Sequence, residues 1–497
     1  MNTLLAKVKK FWNEHPLASV MIAAVVLRII AVFFAKGYGM HDDNFCVIEI
    51  AQKWVNGSHD WLGSGEHYRS LFYPGLHYLL FNMMQHIGIY DPQTKMFVVR
   101  ALHALFSLLT VFFGYKTVRL IDNEKNARLA GLLLAVLWIM PFMSVRNLIE
   151  FVCIPPLIIG FYFVYKNKDG LKNGYVFWAG ICFAFAFAVR FQTLVMAGTL
   201  AILLILSKKI RATLLFCIGF MITAFVLVGI PDWIFHGIPF SSFWYYVMYN
   251  SAHGDAYTTG PFILYFGLIS GVLIPPMSLL LIFGVCRTWK KYALMFWPMF
   301  VFFILHSLFP NKQERFILPV LPVIIMLAIM GWEQFAASSV FWTNHKKLLR
   351  GIWRWFWIFN TLLLILATFT YSKKSRVETL SYLYHMSDVQ GVIVETKDAS
   401  APLMPLFYLG DKKTPVYYMT SSMSLDSLKT IISSGPKPNY FIFLTQKNLD
   451  ERIKRLSPLT GNMVYVNTVV PSIADQLLYF LNPKHNVNQT SYIYKAQ

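Results

Sequence analysis

The stretch Phe72–Tyr90, FYPGLHYLLFNMMQHIGIY, decides the fold. Its length and apolar content suit a bilayer crossing. Yet Tyr73-Pro74-Gly75 opens it, and His77, Gln85 and His86 lie inside it. Basic residues elsewhere choose between the readings. Lysine and arginine gather in alternate short loops: Lys7/Lys9/Lys10, Lys116/Arg119/Lys125/Arg128, Lys166/Lys168/Lys172, Lys208/Lys209/Arg211, Arg287/Lys290/Lys291 and Lys346/Lys347/Arg350. Cytoplasmic loops are enriched in such residues. If Phe72–Tyr90 crosses, every cluster after the first flips to the other side. If it lies in the interface or re-enters, all six share the cytoplasmic side. The second reading leaves about eleven spans.

Composition agrees with a polytopic membrane protein. The 497 residues are 17% aromatic and 14% charged, with a net charge of +20 and a mean hydropathy of +0.51. Apolar runs of about 20 residues, each long enough to cross a bilayer, recur from Leu17 to Tyr371. Leu17–Ala35 follows a lysine-rich start and ends in Lys36-Gly-Tyr-Gly, without a small-residue cleavage site. It is read as a retained first helix, not a signal peptide. The positive charge would suggest nucleic acid in a soluble protein. Here it sits in short loops and orients the chain, so no nucleic-acid partner is expected. Cys46, Cys153, Cys182, Cys217 and Cys286 show neither metal-knuckle nor disulfide spacing.

On the outer side this topology collects the unusual polar residues. The loop 37–71 carries Asp42, Asp43, Glu49, Glu66 and Arg69. Short turns carry Arg146 with Glu150, and Arg190 with Gln192. The loop 231–260 carries Asp232, His236, Asn250, His253 and Asp255, and the corner 308–315 completes the set. The membrane part is expected to span residues 1–371. Residues 372–497 change in character: strand-like runs at Gly391–Glu395, Tyr440–Leu444 and Met463–Asn467 alternate with helix-like Leu425–Ser433 and Asn448–Leu456. They are expected to form a small soluble α/β domain on the outer side. Asn488-Gln-Thr490 matches a glycosylation sequon, a pattern common by chance.

Two groups of residues carry chemistry. The corner Asn311-Lys-Gln-Glu-Arg-Phe-Ile-Leu-Pro-Val-Leu321 sits between the apolar stretches Trp297–Leu308 and Phe316–Ile329, with His306 just upstream. An ionised side chain at the bilayer centre costs roughly 2.5–3.5 kcal/mol. The corner therefore marks a polar cavity or the headgroup level, and its basic character suits an anionic lipid. Arg69, Arg146, Arg190, Lys312 and Arg315 lie at the outer ends of different spans. The arginine fork suits phosphate; the alternative is snorkelling to headgroups, weakest for Arg315 in its crowded corner. Glu150 is read as a structural ion pair with Arg146, and His77, His86 and His103 as satisfied core histidines. Phe243-Trp-Tyr-Tyr246 is read as interfacial packing.

The second group is Asp42-Asp43, directly after the first span. Adjacent carboxylates raise each other's proton affinity, and burial adds to this, which favours a general base. The plainer reading is a solvated pair that ends a helix. Base and phosphate clamp together suit one reaction. A polyprenyl-phosphate sugar donates its glycosyl group, a carboxylate deprotonates the acceptor hydroxyl, and cations stabilise the departing phosphate. The transition state is oxocarbenium-like, and a single displacement inverts the anomeric centre. No metal or other cofactor is expected, because arginine and lysine can offset the leaving charge.

These motifs resemble the integral-membrane GT-C glycosyltransferases, specifically the family-22 mannosyltransferases. Their HPDE-x-F-Q motif is similar to His41-Asp42-Asp43-Asn44-Phe45-Cys46, and RS-x-x-(F/Y)P to Arg69-Ser70-Leu-Phe-Tyr73-Pro74. Arg146-Asn147-Leu-Ile-Glu150, Arg190-Phe-Gln-Thr193, Asp232-Trp-Ile-Phe-His-Gly237 and Phe243 to Asn250 resemble further family motifs. Asn311-Lys-Gln-Glu-Arg-Phe-Ile-Leu-Pro319 resembles HKEERF-x-LP, the most specific match. The likeness runs over roughly residues 38–322.

The resemblance implies an all-α polytopic membrane protein of GT-C fold, with interfacial helices beside the spans. It implies an inverting mannosyltransferase drawing on a polyprenyl-phosphate donor and a glycan, lipid or protein acceptor. Asp42 stands first as base, with Asp43 next. Arg315, Lys312, His306, Arg69 and Arg190 are the expected phosphate-binding set; Glu314, Asp232, His236, Tyr73 and Asn250 are the expected acceptor and sugar contacts. The expected location is a bacterial inner membrane with a periplasmic site, or alternatively the endoplasmic reticulum with a luminal one. Two other functions stay open: a GT-C enzyme using another polyprenyl-phosphate sugar, such as aminoarabinose or glucose, and a lipid or anionic-solute transporter. Charged residues gathered at one face and the lack of an evident repeat weigh against the transporter.

Overall fold

The computed structural model describes residues 2–58, 69–166, 174–396, 403–410, 414–420, 423–433, 436–483, 486–487 and 489–497. Glu66, Lys168, Lys172 and Asn488, all weighed above, lie outside them. The chain divides into two compact units: Met1–Phe33, Ser58–Leu76 and Val99–Thr368 form the first, and Phe34–Gly57, His77–Val98 and Phe369–Gln497 the second.

The first unit is helical. Among the described residues six helices are long and apolar enough to cross a membrane: Pro16–Phe34, Pro92–Ile121, Ile149–Lys166, Ile210–His236, Glu314–Ser338 and Lys346–Thr368. Leu264–Val272 and Met277–Cys286 make a seventh if counted together, bent by 118° at Pro275-Pro276, whose prolines cannot continue a helix's hydrogen bonds. Three shorter apolar helices are Gly174–Val189, Phe191–Leu206 and Ala293–Leu308. The expectation was about eleven spans; these length criteria return fewer because several apolar runs are broken by Pro or polar corners. Phe72–His86 is 15 residues long, about 22 Å at 1.5 Å per residue, and is not among the candidates.

Small residues let these helices approach closely. A Cβ on Gly180 would overlap the backbone at Phe216, and one on Gly219 the backbone at Phe177, so Gly174–Val189 and Ile210–Ala224 pack nearly backbone to backbone. Gly284 and Gly331 do the same for Met277–Cys286 and Leu321–Ser338. Arg28, 1% exposed in the first span, donates from Nε to Ser107 Oγ at 2.7 Å and from Nη1 to Ala135 O at 3.2 Å. It thereby caps the C-terminal end of Glu124–Val136, where a cation meets the negative end of the helix dipole. Asn360 joins the same region to Lys346–Thr368, donating to Val136 O at 2.9 Å and accepting from Trp138 N at 2.8 Å.

The second unit holds a five-stranded sheet: β1 (Val392–Thr396), β2 (Val416–Thr420), β3 (Tyr440–Leu444), β4 (Met463–Val469) and β5 (Ser491–Ala496), in the order β2-β1-β3-β5-β4. β1 pairs in parallel with β2 and β3, while β5 runs antiparallel to β3 and β4. Every residue of β1 and β3 is buried, which explains why both read as continuous apolar runs rather than alternating ones. Ile393, Met419, Leu428, Phe441, Phe443 and Leu456 form the core. Inside it the buried Glu395 pairs with Arg452.

This unit also contains the loop after the first span. Ser372 N donates to Lys36 O at 3.0 Å, and Lys373 Nζ to Gly39 O at 2.7 Å. Phe407 packs against Phe81 with ring centroids 5.4 Å apart. Lys95 Nζ donates to Gln52 Oε1 at 3.0 Å. The segment bearing Asp42 and Asp43 is thus held by residues far downstream.

Candidate active site

In the first unit three charged side chains converge. Glu150 lies in the first helical turn of Ile149–Val152, where the positive end of the helix favours a carboxylate. Arg190 follows Gly174–Val189 directly, and Arg315 lies in the 3-10 helix Glu314–Val320. Arg190 Nη1 pairs with Glu150 Oε1, and Arg315 Nε lies 3.4 Å from the same oxygen. The three side chains are 1%, 6% and 1% exposed for Arg190, Arg315 and Glu150. Both guanidinium groups thus approach one carboxylate oxygen out of water, where an ionised group must be paired to be tolerated. Hydrogen-bond capacity remains as well: Arg190 Nε and Nη2 and Glu150 Oε2 are buried without a hydrogen-bond partner among the described residues.

Aromatic rings and polar groups enclose the centre. The guanidinium of Arg190 lies 5.1 Å from the Phe316 ring centroid and that of Arg315 5.8 Å. Gln192 donates to Tyr246, whose hydroxyl pKa is pushed up to about 12 by burial; the charges of Arg190 and, more weakly, Arg69 oppose that rise. The His306 ring lies 6.3 Å from Phe316, and its Nδ1 donates to Phe302 O at 2.8 Å. Arg146, 2% exposed, places its guanidinium 4.4 Å from the Phe142 ring centroid.

The corner around Arg315 is fastened to the loop before it. Lys312 N donates to Thr258 O at 2.8 Å, and Tyr265 OH to Gln313 O at 3.2 Å. Lys312 Nζ donates to the carbonyls of His306 at 3.0 Å, Ser307 at 2.8 Å and Phe309. Its three protons therefore serve as a cap on Ala293–Leu308. Glu314 points outward and is exposed beside the buried Arg315.

The remaining expected contacts of this unit have identifiable local partners. Asp232 Oδ2 accepts from Ser242 N at 2.9 Å and Ser242 Oγ at 2.6 Å, capping Ser241–Ala252 from ten residues upstream; Oδ1 is buried without a hydrogen bond. Asn250 Nδ2 donates to Tyr246 O at 2.8 Å, and His236 is half-buried. The Tyr73 hydroxyl is 2.6 Å from both His103 Nε2 and Asn147 Oδ1, while His103 Nδ1 lies 2.6 Å from Val99 O. A carbonyl can only accept, so Nδ1 carries a proton. The single hydroxyl proton can serve one acceptor, so either His103 is doubly protonated or Asn147 presents its NH₂ to Tyr73.

The expected bases lie in the second unit. Met40 precedes the turn His41–Asp43, which continues through a π-helical turn, Asn44–Ile48, into Glu49–Val55. Asp43, 2% exposed, accepts from Met40 N at 3.2 Å. Asp42 is half-buried. Glu49 Oε1 accepts from Asn44 Nδ2 at 3.1 Å and from Phe407 N at 3.4 Å. Burial pushes its carboxyl up to about 7, against those hydrogen bonds.

Sequence reasoning brought Arg190 and Arg315 forward but missed what joins them. It paired Glu150 with Arg146, its near neighbour in the chain. The ion pairs found on Glu150 are to Arg190 and Arg315 instead. Ser144–Leu148 is not helical, so i,i+4 spacing does not bring side chains together there. Gln192, Tyr246 and Phe316 were visible only as neighbours of motif residues.

The sequence model of the Alg9-like mannosyltransferase family matches residues 19–398. Among curated protein sequences none matches the chain. Among solved structures the chain is similar to ArnT from Cupriavidus metallidurans bound to undecaprenyl phosphate, at 11% identity, over 96% of this chain and 97% of that one, with a TM-score of 0.61. It is also similar to the apo oligosaccharyltransferase of Archaeoglobus fulgidus, at 10% identity, over 90% of this chain and 71% of that one, with a TM-score of 0.53. At such identities the likeness is one of fold.

Proposed function

The chain belongs to the Alg9-like mannosyltransferase family, and on that premise we propose that it transfers mannose from a polyprenyl-phosphate carrier to a hydroxyl of a glycan, lipid or protein acceptor. The observation that carries this reading is the centre at Glu150. Two buried arginines share one carboxylate, and Arg190 keeps two buried donor atoms for an anion. The solved structure of ArnT holds a polyprenyl phosphate, a ligand of the kind this centre suits.

In this reading Arg190 and Arg315 hold the donor's phosphate and stabilise the charge that grows on it as the glycosyl bond breaks. Phe316, flanked by both guanidinium groups, keeps water from them, and a dry surround strengthens each electrostatic contact. Glu150 keeps the two cations from repelling each other in the empty enzyme. Arg69 stands near enough for its charge to be felt at the Tyr246 hydroxyl; His306, with Nδ1 held by Phe302 O, is assigned to the phosphate side through Nε2; Lys312 sets the position of the corner through its helix cap. Asp42 removes the acceptor proton, with Asp43 as the alternative base. Tyr73, Asp232, His236, Asn250 and Glu314 are assigned to the sugar and acceptor side. The proton leaves the acceptor oxygen, that oxygen bonds the anomeric carbon, and the carrier departs as a phosphate monoester with inverted product stereochemistry. No metal is required in this scheme. In this reading the site faces the extracytoplasmic side of a bacterial inner membrane.

The test is single-turnover transfer from labelled polyprenyl phosphate mannose, with the glucose and pentose donors alongside. Asp42→Asn should lower transfer by about 10²–10⁴-fold while the protein still inserts. Retained transfer in Asp42→Asn, Asp43→Asn and the double variant would remove the base assignment. Preference for another sugar would leave the chemistry and change the substrate.

A further inference from the structure

The helix Ile473–Leu481 in the second unit displays an apolar stripe that is exposed among the described residues. Ile473 is 84% exposed, Phe480 82% and Leu481 68%, and Leu477 is also exposed. These four stand at i, i+4, i+7 and i+8, one face of a helix. The opposite side is anchored. Asp475, 2% exposed, accepts from Lys373 N at 3.0 Å and from Lys374 N at 3.1 Å. Its own N–H donates to Ser472 Oγ at 3.1 Å, capping the helix.

That anchor fixes where the stripe lies. Lys373 follows the candidate span Lys346–Thr368 by a few residues, a stretch that reaches roughly 17 Å at most. Ser372 N also donates to Lys36 O at 3.0 Å, and Lys36 closely follows the candidate span Pro16–Phe34. The Phe34 and Phe369 rings are 4.9 Å apart. Two span ends therefore meet at the point from which Asp475 holds the helix, and two span ends meet at a bilayer surface. Lys36, Tyr371, Lys373 and Lys374 around that point are residue types that settle at headgroup level.

We propose that Ile473–Leu481 is an interfacial membrane helix. Its Asp475 side is docked on the start of Lys374–Tyr384, and Ile473, Leu477, Phe480 and Leu481 are inserted among the lipids at the level where Phe34 and Phe369 meet. The occupant of the stripe is the bilayer, not a second protein: a stripe this exposed, tethered to two span ends, faces lipid before it can face a partner. The expected depth is about 5–10 Å into the boundary between headgroups and acyl chains. The C-terminal segment is then held on the membrane at a second point besides its covalent tether, which would steady the Asp42 loop packed in the same unit. This inference is independent of the sugar and of the reaction.

The test uses the full chain in nanodiscs of phosphatidylcholine and phosphatidylglycerol, with a fluorescent unnatural amino acid replacing Ile473 or Phe480 in turn. Both positions are surface-exposed, so the fold is not at stake. Lipids brominated near the headgroup should quench most of the emission at both positions, deep bromines should quench less, and aqueous iodide should quench little. Quenching by iodide without quenching by brominated lipid would place the stripe in water and overturn the proposal. Protection from both quenchers would mean that protein covers it, and would overturn it equally.

Discussion

Replacing Arg315 by glutamine removes one positive charge from a buried centre of two arginines and one glutamate. As unit charges 3.4 Å apart at an effective dielectric of about 20, Arg315 and Glu150 attract by about 5 kcal/mol before desolvation is counted. The variant keeps Arg190 paired with Glu150, so stability should fall less than in a variant that removes the shared carboxylate. Anion binding should suffer more. A hydrogen bond to a charged group contributes about 1.5–3 kcal/mol, so affinity for polyprenyl phosphate should drop roughly 10- to 100-fold. Glu150→Gln should do the opposite. It removes the carboxylate that both arginines approach, a loss of about 3–5 kcal/mol, while releasing Arg190 Nη1 for the ligand. Its apparent Tm should fall furthest, and polyprenyl phosphate should restore more of it than in the wild type, because a ligand selective for the folded state stabilises by mass action. The assay is thermal unfolding in detergent with and without polyprenyl phosphate, paired with calorimetric titration of the same lipid. If Arg315→Gln binds as tightly as the wild type and both variants lose equal stability, the centre is a structural ion network and the phosphate assignment fails.

Asp42→Asn should lower the rate constant for transfer by about 10²–10⁴-fold, the usual worth of a positioned base, with little change in donor affinity; single-turnover kinetics separates the two. The Glu49 carboxyl, at about 7 in the folded chain against 4.5 for an ordinary glutamate, binds a proton in the folded state that the unfolded state has lost. Its contribution to stability is therefore complete below about pH 4.5 and disappears as pH rises through 7. Melting curves across that window should show a falling midpoint that Glu49→Gln flattens. Asp232→Ala should destabilise by roughly 1–3 kcal/mol, since Ser242 N and Oγ lose their acceptor. If instead transfer falls with an unchanged melting temperature, Asp232 contacts substrate.

Several features were legible from residue order because they rest on local chemistry. Alternating basic loops and apolar runs announced a polytopic protein, since burying charge in lipid is costly wherever the chain goes next. The continuous apolar runs of β1 and β3 were readable because strands covered on both faces need no polar side. β2 and β5 were not, because half-buried runs such as Val416–Thr420 mix polar and apolar positions and acquire strand character only from their neighbours. Arg190, Arg315 and the aspartate pair stood out as charges beside apolar segments.

Which charges meet was decided by tertiary structure alone. Glu150, Arg190 and Arg315 are far apart in the chain, and their meeting depends on three separate helix ends coming together. Lys312 looked like a phosphate ligand and became a helix cap because the preceding helix presents carbonyls within its reach. Asp475, unremarkable in sequence, ties an apolar helix to the backbone at Lys373 and Lys374. Sequence records the charges and the apolar periods; long-range packing, which no local pattern encodes, determines which of them stand within a few ångströms of one another.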